Sequence, residues 1–114
     1  MVEVVQRRTF QAGDKIFKEG DEGDVAYVVQ SGEVEIIKVN DNNEEVIGVI
    51  GVGGIFGEMA LIDSKPRMAM ARTSKSTTII VVTKQMFDEK MKSVDPFIRG
   101  LLNIFVDQIR SISN

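Results

Sequence analysis

The strongest constraint on the fold is a change of period at Lys84 in a chain of 114 residues. Before it, short runs rich in β-branched residues are separated by turn residues, and after it apolar residues recur at helical spacing. Residues 4–10 and 15–17 flank Ala12-Gly13-Asp14, residues 25–30 and 33–39 flank Ser31-Gly32, and Asp41-Asn42-Asn43 precedes residues 44–50. Gly and Asn accept the positive φ that tight hairpin turns require. Residues 67–73 and 77–82 add two more runs, which with the short pieces make about eight strands and predict a mainly β sandwich or barrel. Beyond Lys84, Met86, Phe87 and Met91 recur at helical spacing, and Asp95-Pro96 starts a second helix, Asp as N-cap and Pro at the first helical position. Phe97, Leu101, Ile104, Phe105, Ile109 and Ile112 fall on one stripe of it, and the simplest reading of that stripe is core packing. The same stripe is able to face a second copy of the chain, giving a homodimer. It spans about two and a half heptads and is interrupted by Gln108, short of the three to four heptads of a coiled coil.

A chain of this length predicts one domain over residues 1–114, with a barrel over about 4–83 and helices over about 84–112. The absence of Cys excludes disulfides and thiol catalysis. The absence of His removes the usual neutral-pH base and the commonest transition-metal ligand, so no metal site and no enzyme activity are expected. A net charge of −3 and a pI near 5.0 argue against a nonspecific grip on nucleic acid or an anionic membrane. The longest apolar stretch, residues 46–57, contains five glycines and is well short of the roughly 20 residues of a spanning helix. With no signal-peptide pattern at Met1-Val2-Glu3, the expected location is the cytoplasm.

The informative segment is Gly53-Gly54-Ile55-Phe56-Gly57-Glu58-Met59-Ala60-Leu61-Ile62, followed by Asp63-Ser64-Lys65-Pro66-Arg67. Gly-rich backbone leading into one helical turn over residues 58–62 presents free N–H groups, the usual cradle for a phosphate. Arg67 adds a guanidinium fork, and Pro66 stiffens the chain before it. Glu58 would repel a phosphate, but it suits a sugar hydroxyl, as acidic residues do at ribose. Phosphate plus ribose implies a nucleotide. Singly, an Arg after Pro is usually a solvated charge and a Glu in a first turn usually serves the helix dipole; the joint pattern is the specific one.

Phe56-Gly57-Glu58-Met59-Ala60-Leu61 and Pro66-Arg67-Met68-Ala69 resemble the phosphate-binding cassette of cyclic nucleotide-binding domains, as in cAMP-dependent kinase regulatory subunits and the bacterial catabolite activator protein. Phe17-Lys18-Glu19-Gly20-Asp21-Glu22-Gly23-Asp24, Tyr27-Val28-Val29 and Ser31-Gly32-Glu33-Val34 match that family's turn-and-strand pattern, so the resemblance covers nearly the whole chain. It implies an eight-stranded jelly-roll barrel, a double-stranded β-helix, holding a short cassette helix, with C-terminal helices closing over the ligand. By position, Glu58 would take the ribose 2′-hydroxyl and Arg67 an equatorial oxygen of the cyclic phosphate. Backbone donors near Gly57, Ala60 and Met68 would complete the cradle, and Leu61 would pack on a lid formed by Phe105 or Ile109.

Met68 stands where cGMP-selective relatives carry Thr or Ser, which implies cAMP as ligand, with cGMP as the alternative and no cofactor. Only Met1–Glu3 stand upstream of the β pattern where the family has a helix, and the sequence ends just past the long helix, consistent with a domain taken from a longer protein and naming no effector. The expected function is thus a cyclic-nucleotide regulatory module that couples occupancy to movement of its C-terminal helices. The competing reading keeps the fold as a ligand-free structural or interaction module, against which stand the intact Glu58 and Arg67. A cupin-like metal enzyme fails for want of His.

Overall fold

The computed structural model describes residues 5–61 and 65–113. Among them the first two-thirds forms eight strands: β1 (Gln6–Phe10), β2 (Lys15–Phe17), β3 (Val25–Ser31), β4 (Val34–Asn40), β5 (Asn43–Ile50), β6 (Ile55–Phe56), β7 (Met70–Thr73) and β8 (Thr77–Thr83). They pair antiparallel as two four-stranded sheets, ordered β1-β8-β3-β6 and β2-β7-β4-β5. Apart from the β4–β5 hairpin, consecutive strands are split between the two sheets, as the jelly-roll expectation requires. β6 is the strand that the sequence reading passed over, because two residues among glycines show no alternation. The run over 67–73 contributes less strand than expected: β7 begins only at Met70, leaving Arg67–Ala69 outside regular pairing.

Local chemistry explains the turns and helix starts. Asp41 and Asn42 have φ of 50° and 66° between paired Asn40 and Asn43, the two-residue hairpin with both central residues left-handed that Asn and Asp tolerate best. Helix α1 (Lys84–Met91) is capped by Thr83, whose side chain accepts from the Met86 N–H at 3.1 Å. Helix α2 (Pro96–Ser113) starts as its Asp-Pro pair predicts: Asp95 Oδ1 accepts from the Phe97 N–H at 2.8 Å. No helix of the described residues is long and apolar enough to cross a membrane.

The core lies between the sheets. Val29, Val34, Ile37 and Ile79 are fully buried, and Phe17, Tyr27 and Phe56 stack at one end with ring centroids 5.1–6.2 Å apart. The inner faces of the two sheets fill one another, and no described residue of α2 belongs to that core. The core-packing reading of its stripe is therefore overturned for its described residues: Phe97 is 74% exposed and Phe105 48%, with Leu101 and Ile104 also in solvent. The side chains of Ile109 and Ile112 lie outside the described residues. A radius of gyration of 14.7 Å, against about 13 Å for a compact chain of this length, agrees with a helix standing off the barrel.

Candidate functional site

A cavity of about 250 Å³ opens between the cassette and the β4–β5 side of the barrel. Phe56, Gly57, Glu58, Met59, Ala60, Pro66, Arg67, Met68 and Ala69 all line it, so the structure brings together nine of the ten cassette residues singled out from the sequence. The tenth, Leu61, is buried and faces away, into a cleft shared with Phe87 and Met91 of α1 and Arg99 and Asn103 of α2. Phe105 does not line the cavity, and the Ile109 side chain lies outside the described residues.

The cassette begins where β6 ends. Phe56, anchored in the aromatic cluster, delivers the chain to Gly57, whose φ of +71° turns it into a 3₁₀ turn over Glu58–Leu61. Within that turn Glu58 is exposed towards the cavity and has no hydrogen-bond or ion-pair partner among the described residues, whereas Ala60 and Leu61 are buried. The free-amide cradle expected there is partly spent, because the Ala60 N–H points at the Gly57 carbonyl at 3.3 Å. Phe56 belongs to the hydrophobic core as much as to the cavity wall.

Arg67 is the most constrained side chain of the site. It is only 8% exposed, yet no carboxylate pairs with it among the described residues. Nη1 donates to the Gly57 carbonyl at 3.0 Å and Nη2 to the Val25 carbonyl at 2.8 Å, while Nε–H, also buried, has no acceptor among the described residues. The guanidinium lies 4.2 Å from the centroid of the Phe17 ring and 5.7 Å from that of Tyr27, a cation–π seat that compensates part of its lost hydration. Its main chain is stapled as well: the Arg67 N–H donates to the Asp21 carbonyl and the Gly20 N–H to the Arg67 carbonyl, both at 2.8 Å. Where the β4–β7 ladder stops at Ile37↔Met70, Lys38 continues the hold, its ammonium donating to the Met68 carbonyl and pairing with Glu19 at 2.9 Å.

These contacts give the segment Phe17–Asp24 its purpose, which its sequence alone does not disclose. A Cβ on Gly23 would fall 2.4 Å from Arg67 Nε, so Gly23 is glycine to let the guanidinium through, although its own φ demands no glycine. Sequence reasoning also missed Lys38 and the apolar wall opposite the cassette: Ile36 on β4, Ile47 and Ile50 on β5, and Ile55 on β6. A glycine at no evident turn was the signal available for Gly23. For Ile47 there was none, because its place comes from a bulge: pairing runs Ile36↔Gly48 and then Ile37↔Val46, leaving Ile47 as the extra residue that faces the cavity. No group of three or more acidic residues placed to hold a metal occurs among the described residues.

An exposed carboxylate, a buried guanidinium that no carboxylate pairs among the described residues, and an apolar wall around one cavity suit an anionic, hydroxyl-bearing ligand with a flat apolar part, and comparison with known proteins agrees. The sequence profile of cyclic nucleotide-binding domains matches residues 7–94. The cAMP-dependent protein kinase regulatory subunit of Emericella nidulans is 36% identical over 90 residues, covering 79% of this chain and 21% of that protein. An uncharacterized ABC transporter ATP-binding protein of Mycobacterium tuberculosis is 38% identical over 82 residues, 71% of this chain and 25% of that one. The EAL enzyme Bd1971 in its cAMP-bound form superposes with a TM-score of 0.82 at 35% identity, over 92% of this chain and 28% of its own, and its cGMP-bound form with a TM-score of 0.85 over the same shares. The chain thus spans about a quarter of the length of the curated relatives it matches. With the profile running from β1 past α1 and the cassette at its centre, this chain belongs to the cyclic nucleotide-binding domain family.

Proposed function

We propose that the chain is a cyclic-nucleotide receptor module, with cAMP as a ligand, that passes occupancy to its C-terminal helices and catalyses no reaction itself. The observation that carries this reading is the buried Arg67 guanidinium, which no carboxylate pairs among the described residues. A permanent cation removed from water and held only by carbonyls and ring faces is costly unless an anion joins it, and the cavity beside it is where an anion can enter. Arg67 then takes an oxygen of the cyclic phosphate, Glu58 accepts from the ribose 2′-hydroxyl, and the amides around Gly57 and Met68 complete the cradle. 5′-AMP binds much more weakly, because its open dianion does not match a cradle for a compact monoanion.

Coupling runs through the 3₁₀ turn. Glu58 faces the cavity from its first position and Leu61 faces α1 and α2 from its last, so a ligand that reorders the turn alters what the helices pack on. A ligand shifts such an equilibrium only by its differential affinity for the two arrangements. We assign the exposed face of α2, in its turn, to a second copy of the chain.

Titration calorimetry with cAMP and 5′-AMP, paired with hydrogen exchange, tests both halves. At 100 times its dissociation constant, cAMP should stabilise the fold by about 2.7 kcal/mol and raise the melting temperature by roughly 10 °C. Amides of the cassette turn and of α2 should gain protection together. Protection confined to the cassette would remove the coupling and leave the binding, and no heat or melting shift at millimolar cAMP would remove the receptor reading.

A further inference from the structure

Building on that receptor reading, we infer that the site recognises the sugar and phosphate of a cyclic nucleotide and leaves its base unread, so that cAMP and cGMP bind with affinities within about tenfold of each other. One base is told from another through the donors and acceptors on its edge, and a wall that reads them needs polar groups at fixed positions. Among the described residues lining the cavity, the ionisable side chains are Glu58 and Arg67 of the cassette and Lys65 just before Pro66. Glu58 and Arg67 go to ribose and phosphate. Lys65 is exposed, and an ammonium only donates, which suits the N7 acceptor that both purines carry. Lys38, two residues along β4 from the wall residue Ile36, is engaged by Glu19 and the Met68 carbonyl.

What remains for the base is apolar and chiefly aliphatic: Ile36, Ile47, Ile50 and Ile55, with Met59 and Met68 in the same lining and the rings of Phe17 and Phe56 beside Arg67 and in the core. Ile47 and Ile55 are each 56% exposed. That is apolar surface the fold itself leaves uncovered, and a purine laid over it gains burial of its face while its polar edge stays in water. An aliphatic wall of this kind ranks bases by area. The absence of a hydroxyl at Met68 therefore removes a contact that would favour guanine without supplying one that favours adenine. Smaller pyrimidine bases cover less of the wall and should bind about tenfold more weakly than the purines.

The experiment is calorimetric titration of the ligand-stripped chain with cAMP, cGMP, cCMP and cUMP, on the natural sequence and on Ile55→Ala and Arg67→Ala. Dissociation constants for cAMP and cGMP should agree within tenfold. Ile55→Ala should weaken both by the same factor, several-fold, leaving their ratio unchanged, and Arg67→Ala should weaken both by about a hundredfold, placing them in one site. A preference of more than tenfold for either purine, or an Ile55→Ala variant that shifts their ratio more than threefold, overturns base indifference while the receptor reading survives. Absence of binding by all four nucleotides overturns both.

Discussion

Arg67 and the apolar face of α2 are held in opposite ways. The arginine is pinned from every side: carbonyls of Gly57 and Val25 on its guanidinium, the rings of Phe17 and Tyr27 beneath it, and the Gly20–Asp21 backbone on its main chain. The helix presents Phe97, Ile98, Leu101, Leu102, Ile104 and Phe105 to solvent. A group fixed by that many independent contacts is preorganised, so little ordering remains to be done when a ligand arrives. A helix with its apolar face uncovered retains more than one way to bury it, which is what a moving output element needs. Recognition is thus concentrated where the barrel over-determines a side chain, and response where the fold leaves one element under-determined.

The sharpest way to break this contrast is Arg67→Ala, which should cost about 3 kcal/mol of cyclic-nucleotide affinity, roughly a hundredfold, in a calorimetric titration. A tenfold loss or less would mean that the pinned arginine is structural. Gly23→Ala comes next. Its Cβ would fall 2.4–2.6 Å from Arg67, so the guanidinium must leave its seat, and affinity should fall at least tenfold with the far-ultraviolet circular dichroism unchanged. Unaltered affinity would show that the seat does not matter to binding.

Glu58→Ala should follow, lowering cAMP affinity by about 1–1.5 kcal/mol, roughly tenfold, for one lost hydrogen bond to a charged acceptor. The 2′-deoxy analogue should be nearly indifferent to the change, and equal losses for both ligands would contradict the ribose assignment. Phe105→Ser should have the smallest effect, shifting the unfolding free energy in dilute solution by no more than about 0.5 kcal/mol, as for an exposed position. A loss of 2 kcal/mol or more by chemical denaturation would show that α2 is docked core in solution, and the contrast between the two regions would disappear.

Strands and turns were largely legible because their signals are local. Asp41-Asn42 announces its turn by residue type, and Asp95-Pro96 its helix by capping chemistry. β6 escaped because two residues have no period, and the late start of β7 escaped because residues 67–69 alternate like a strand while their backbone is held by the Lys18–Asp24 loop and by Lys38. The cassette was legible as a set of residue types suited to phosphate and sugar, and nine of the ten share one cavity wall.

By itself the sequence determined the period of the longer elements, most of the places where the chain must turn, and the cassette groups suited to phosphate and sugar. These follow from backbone sterics and side-chain identity within a few residues. Tertiary structure decided that Arg67 threads past Gly23 to the Val25 carbonyl, 42 positions away, that a bulge turns Ile47 to the cavity, and that the apolar stripe of α2 faces solvent. An apolar stripe specifies a face to be covered and is silent about what covers it, because burial depends on which distant surface arrives first and whether its space is already filled. Here the two sheets fill the barrel with one another, and the helix is left outside.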